Sequence, residues 1–311
     1  MSGMVSLFEI ELPFPGTRCV LKLLEPQGSC AEALWQRVCD RTYEKPFIME
    51  RGTERLLYFD VDSSQSVMSL EQPNWLTLAY TRTMMAFLLF NRSPRRILLL
   101  GLGGGSLAKF CYRTLPLTAI TAVEVNPHVI ALRDQFCIPK DDERFRVVHA
   151  DSAAYVSETG CDKDVILADA CDHAGIAPAQ DTIEFYQDVW RRLSAAGVFV
   201  LNLCGDRARW VSHVAKLRSV FGERFITLPA QHDGNVILFA FKQISVEMDW
   251  RELEATGREL ARRYGFDFQR YVQRIALDWR LRRQRPRSIN VHDTIRQDCT
   301  KECTDSTCRE Y

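Results

Sequence analysis

Residues 96–127 read RILLLGLGGGSLAKFCYRTLPLTAITAVEVNP. The run Ile97-Leu98-Leu99-Leu100 is apolar at every position, where a strand with one wet face would alternate. It predicts a strand covered on both faces, as in a parallel α/β sheet. Gly101, Gly103, Gly104 and Gly105 follow at once, then helical spacing at Leu107, Phe110 and Cys111. Glycines at such a turn let the backbone bend tightly and approach a ligand, while the next helix turns its free N–H groups toward it. A second strand, Ala119 to Val125, carries Glu124 about twenty residues beyond the glycines, where a carboxylate can accept hydrogen bonds from ribose hydroxyls. Strand, glycine turn, helix, strand and acid thus occur in the order of a nucleoside-binding βαβ unit. The glycines alone are weak evidence, since the third glycine of the dinucleotide pattern is Ser106 and such a turn can also bind nothing.

Outward from this stretch the pattern continues. Strands are predicted at 97–101, 119–125, 145–149, 164–169 and 197–203, with helices near 106–114, 127–136, 151–157 and 182–194. That alternation argues for a mainly parallel sheet with helices on both faces. Arg224–Leu228 and Asn235–Phe241 flank Asp233-Gly234, a hairpin signal, so the last pair should be antiparallel. The whole resembles the Rossmann-like sheet of class I S-adenosylmethionine-dependent transferases, an α/β fold with a mostly parallel seven-stranded sheet. Residues 1–72 read as a small β-rich domain with one helix near Ala31–Arg41, and 73–245 as the nucleoside-binding transferase domain. In the latter, Asn74 is expected to cap a helix running through Tyr80 to Leu88. Residues 246–287 form a helical segment, continuous from Trp250 to about Arg283. Residues 288–311 are expected to be a disordered tail; the spacing of Cys299, Cys303 and Cys308 fits no zinc site.

Composition narrows the function classes. With 40 basic and 40 acidic residues, the net charge of zero supplies no general attraction to nucleic acid or an anionic membrane. No apolar stretch is long enough to span a bilayer and no export signal is evident, so a cytoplasmic protein with reduced thiols is expected from the 11 cysteines. The partner expected is a small molecule, with no metal; a homodimer is the one assembly considered.

The chemistry concentrates in Asp169-Ala170-Cys171-Asp172-His173-Ala174-Gly175. Asp169 ends a parallel strand, where open α/β sheets place their ligands, and Asp172 follows on a loop that Gly175 lets fold over. Two carboxylates over a sulfonium donor suit amine alkylation: one accepts the proton of the attacking amine, the other holds the amine. The bland alternative makes Asp172 a cap and Asp169 the solvated end of a strand.

With these elements in hand, the chain resembles the polyamine aminopropyltransferases, the spermidine and spermine synthases. Leu98 to Gly105, Val123-Glu124, His149-Ala150-Asp151 and Asp169-x-x-Asp172-x-x-Gly175 carry the likeness over roughly residues 55 to 240. The resemblance implies decarboxylated S-adenosylmethionine as donor, moved onto an amine. Gln65, the glycine turn and Ser106 would bind the donor, Glu124 its ribose and Asp151 its adenine. Asp169 would be the base, with Asp172 and Tyr80 holding the acceptor. Departures are equally specific. Ser106 stands where the family has an aspartate, Leu76 and Thr77 where it has an acidic pair, Arg82 where it has a glutamate, and His173 where it has a proline. A buried dication needs carboxylates at both ends, so an altered acceptor is expected. Ser106, with Arg82 facing the site, would suit intact S-adenosylmethionine and methyl or aminocarboxypropyl transfer instead, and His173 is a candidate neutral-pH base on the acceptor side; a non-catalytic nucleoside-binding homologue is the remaining alternative.

Overall fold

The computed structural model describes residues 6–13, 16–160, 162–169, 171–172, 175–205, 207–231, 234–243 and 248–284. The N-terminal part is an antiparallel meander of β1 (Phe8–Leu12), β2 (Cys19–Leu23), β3 (Phe47–Arg51), β4 (Glu54–Tyr58) and β5 (Ser64–Ser69), with α1 (Ala31–Cys39) between β2 and β3. Its two faces do different jobs. Leu21, Leu23 and Phe47 pack with Leu34 and Val38 of α1, whereas Ile48, Leu57 and Met68 join the core of the main domain. The period of two along these strands therefore seats the meander on the rest of the molecule.

The main domain follows with α2 (Ala79–Met84), β6 (Arg96–Leu100), α3 (Ser106–Thr114), β7 (Ala119–Glu124), α4 (Pro127–Ala131), β8 (Phe145–His149), α5 (Ser152–Glu158) and β9 (Lys163–Ala168). A two-residue pair, β10 (Cys171–Asp172) and β11 (Gly175–Ile176), precedes α6 (Ile183–Arg192), β12 (Leu193–Leu203), α7 (Arg207–Phe221), β13 (Phe225–Pro229) and β14 (Val236–Phe241). The seven-stranded sheet runs β13-β14-β12-β9-β6-β7-β8. The five strands from β12 to β8 are parallel, and β14 is antiparallel to both of its neighbours. Along β6 the side chains divide as a doubly covered strand requires. Ile97 and Leu99 enter the core shared with α3 and the C-terminal helices, and Leu98 and Leu100 enter that shared with α5, α6 and α7.

Three expectations give way here. The helix expected from Asn74 starts only at Ala79, after Leu78, which makes no side-chain cap. Arg82 holds the preceding stretch in a turn by donating from Nη1 to the carbonyls of Leu76 (2.6 Å) and Thr77 (2.7 Å). The helix expected over 127–136 stops at Ala131, and the chain continues in turns to Cys137, whose φ is +54°. The long C-terminal helix is two, α8 (Trp250–Tyr264) and α9 (Phe268–Gln284). Gly265, at φ +73°, breaks it, and Phe266 beyond the break packs against Trp75 and Phe110. No helix among the described residues is long and apolar enough to cross a membrane. The three tail cysteines lie outside the described residues.

Candidate active site

A cavity of about 680 Å³ opens at the carboxyl ends of the parallel strands. Gly101 follows β6, Glu124 ends β7, Asp169 follows β9 and Asn202 lies near the end of β12; Gln65 and Ser66 of β5 line it from the N-terminal meander. Two structures thus share one cleft, as the strand ends of an open α/β sheet favour.

The glycine turn forms one wall. Gly105 has φ +67° and precedes Ser106, the first residue of α3; Ser106, Leu107 and Ala108 all line the cavity. A Cβ on Gly104 would come within 2.5 Å of Ser66 Oγ, so this position has room for no side chain. Glu124 is buried and grips the turn. Its Oε2 accepts from the backbone N–H of Leu102 (3.0 Å) and more distantly of Gly103 (3.5 Å), and Oε1 accepts from Asn126 N–H (2.9 Å). A carboxylate bonded in this way is fixed in orientation, and Glu124 lines the cavity with acceptor capacity left over. Asp151 also lines the cavity and caps α5 by accepting from Ala154 N–H (2.9 Å). Gln65 donates to Ser63 Oγ (3.4 Å) on the meander side.

Asp169 forms the opposite end. Its backbone N–H bonds Leu100 O (2.9 Å), its Oδ1 accepts from Asn202 Nδ2 (2.8 Å) and its Oδ2 accepts from Tyr80 OH (3.2 Å). Protein packs around the carboxyl, and the surface it retains faces the cavity. Burial pushes its pKa above the ordinary carboxylate value, against the lowering effect of the bonds from Asn202 and Tyr80. The result is a carboxylate with two fixed donors and heightened basicity. The parallel pairing of Leu201 with Ala168 explains the Asn202 contact, because one residue further along each strand brings positions 202 and 169 abreast.

The structure brings Gln65, Tyr80, Gly101, Gly103, Ser106, Glu124, Asp151 and Asp169 to one cavity. Gly104 and Gly105 support the turn from behind. Arg82 is a correction: its guanidinium turns to Leu76 O and Thr77 O, and it is absent from the cavity wall. The backbone of Asp172 pairs with that of Gly175; its side chain, and all of His173, lie outside the described part. Asn202 is a site residue that motif reading missed, its only signal being the strand register. The thiol expectation is also corrected at one place: Cys204, on the cavity wall, is disulfide-bonded, whereas Cys19, Cys30, Cys39, Cys111 and Cys137 are free.

Residues 77–207 match the model of the spermine/spermidine synthase domain. A polyamine aminopropyltransferase of Chromobacterium violaceum is 41% identical over 229 residues, covering 73% of this chain and 88% of that protein. The spermidine synthase of Thermotoga maritima shares the fold with a TM-score of 0.59 at 18% identity, over 82% of this chain and 84% of that one. Human methyltransferase-like protein 13, solved in complex with SAH, superposes with a TM-score of 0.52 at 25% identity, over 71% of this chain and 99% of that one.

Proposed function

Because the chain belongs to the spermine/spermidine synthase family, we propose that this cavity transfers an aminopropyl group from decarboxylated S-adenosylmethionine to an amine acceptor. The observation that carries the reading is Asp169, a carboxylate of raised basicity fixed by Tyr80 and Asn202 in the same cleft as the glycine turn and Glu124. Glu124 takes the ribose hydroxyls of the donor and Asp151 its adenine amino group. The acceptor nitrogen attacks the carbon of the aminopropyl chain bonded to sulfur. The C–N bond forms as the C–S bond breaks, the sulfur keeps the electron pair, and the proton lost from nitrogen passes to Asp169. An amine is protonated at neutral pH, so a base beside it is needed before its lone pair can attack.

The charge of the wall favours the decarboxylated donor. Its described residues include three carboxylates, Glu124, Asp151 and Asp169, and no lysine, arginine or histidine. A sulfonium and an ammonium are welcome there; the extra carboxylate of the intact donor meets no cation among the described residues. Among the described residues, Ser106 is the feature that favours the intact form, since its hydroxyl stands where the family's aspartate would repel that group. Dissociation constants for both donors, on wild type and Ser106→Asp, test the reading. Wild type should bind the decarboxylated form at least tenfold more tightly, with Ser106→Asp widening the gap. A wild type that prefers the intact form would overturn it.

A further inference from the structure

Lys109 is a charge the transfer reaction leaves unused. It sits on α3, one turn beyond the glycine turn, with 1% of its surface exposed, and Nζ donates to the carbonyl of Phe136 at 2.8 Å. From the meander, Arg55 on β4 donates through Nη1 to the carbonyl of Gln135. Two cations from different parts of the fold therefore hold successive carbonyls of one segment. Cys137, in the left-handed region at φ +54°, turns the chain immediately afterwards. The side chains flanking that bend reach the glycine turn. A Cβ on Gly104 would lie 3.1 Å from the Phe136 ring, and one on Gly105 would lie 2.3 Å from Ile138 Cγ1. Phe136 and Ile138 are both buried. The segment is a wedge against the back of the turn whose front lines the cavity.

We propose that Lys109, assisted by Arg55, is a positioning residue for donor binding: it holds the 135–138 wedge against Gly104 and Gly105 and so sets the shape of the glycine turn. The proposal rests on the reading of the turn as the donor's nucleoside site. It gives a use to a lysine that stands where an apolar residue would pack without desolvating a charge. It also gives the meander a part in donor binding beyond contributing Gln65.

The test uses the full chain as wild type, Lys109→Met, Arg55→Met and the double variant. Calorimetry with 5′-methylthioadenosine gives nucleoside affinity, steady-state kinetics give KM for donor and acceptor separately, and circular dichroism gives Tm. Lys109→Met should keep a cooperative melt, bind methylthioadenosine at least tenfold more weakly and raise the donor KM in step. The acceptor KM should stay unchanged, because Tyr80, Asp169 and Asn202 stand on other elements. Arg55→Met should act in the same direction, and the double variant should lose less than the product of the two, since both cations hold one segment. Nucleoside affinity within twofold of wild type in both single variants would overturn the proposal, as would equal rises in both KM values. If Lys109→Met does not fold, Arg55→Met decides by the same criteria. A wild type that binds no nucleoside would overturn the proposal together with the reading beneath it.

Discussion

Replacing Asp169 with asparagine removes a charge and a proton acceptor while keeping the contacts that hold the position. The backbone bond to Leu100 O is untouched. The new amide oxygen can accept from Asn202 Nδ2 where Oδ1 now does at 2.8 Å, and the new amide nitrogen can donate to the Tyr80 oxygen, now 3.2 Å from Oδ2. Turnover should nevertheless fall by about 10²- to 10⁴-fold, the usual worth of a general base, which corresponds to about 3–5 kcal/mol of barrier. Affinity for the neutral product methylthioadenosine should remain within about twofold, because Glu124 and Asp151 are undisturbed.

Stability gives an independent check with a definite sign. Burial raises the Asp169 pKa, so between the ordinary aspartate value and the raised one the folded chain holds more protons than the unfolded chain. Wild-type stability therefore falls as pH rises through that window, and above it the full cost of the buried charge persists. Asparagine carries no such cost. Asp169→Asn should melt at or above the wild-type temperature at pH 7, with the advantage narrowing as pH is lowered toward the aspartate range. Turnover within tenfold of wild type, or a Tm several degrees lower at pH 7, would refute the assignment and make the carboxylate a scaffold.

Tyr80→Phe removes a donor that lowers the Asp169 pKa, so the acidic limb of the kcat/KM profile should move to higher pH; an unmoved limb would dissociate that limb from Asp169. Glu124→Gln turns an amide N–H toward backbone donors now served by the carboxylate, and should weaken methylthioadenosine binding by roughly 1–3 kcal/mol in calorimetry. Gly105→Ala forces a left-handed alanine at φ +67° and drives a methyl into Ile138; urea unfolding should show a loss of about 2–4 kcal/mol.

What the sequence made legible were features with local signatures. The all-apolar run before Gly101, the glycines, and acids at strand ends have periods or spacings of their own, and they carried the parallel sheet and the placing of Glu124, Asp151 and Asp169 at one cavity. Asn202 had no such mark, because its meaning comes from the register of β12 against β9, a pairing between segments 33 residues apart in the Asn202–Asp169 contact. The misplaced helix start has the same origin. Asn74 is a good cap by type, but the burial of Leu76 and the pull of Arg82 on two carbonyls keep that stretch in a turn.

The cations were the least legible of all, and for one physical reason. Arg82 donates to Leu76 O and Thr77 O, and Lys109 to Phe136 O. A charge paired with a carboxylate can be guessed from sequence, since the partner must be Asp or Glu. Every residue offers a carbonyl, so a charge paired with the backbone leaves no complementary residue to find. Such a pair also places the charge by the path of the chain and not by its nearest acid. Arg82 could therefore stand two residues from Tyr80 and still point away from the cavity that Tyr80 lines. Lys109, in the helix that follows the glycine turn, likewise stands behind that turn and not in the cavity wall. The electrostatics of the cavity follow from both: with these cations committed to main-chain oxygens, the described wall presents its carboxylates unopposed, the condition the proposed sulfonium donor and amine acceptor require.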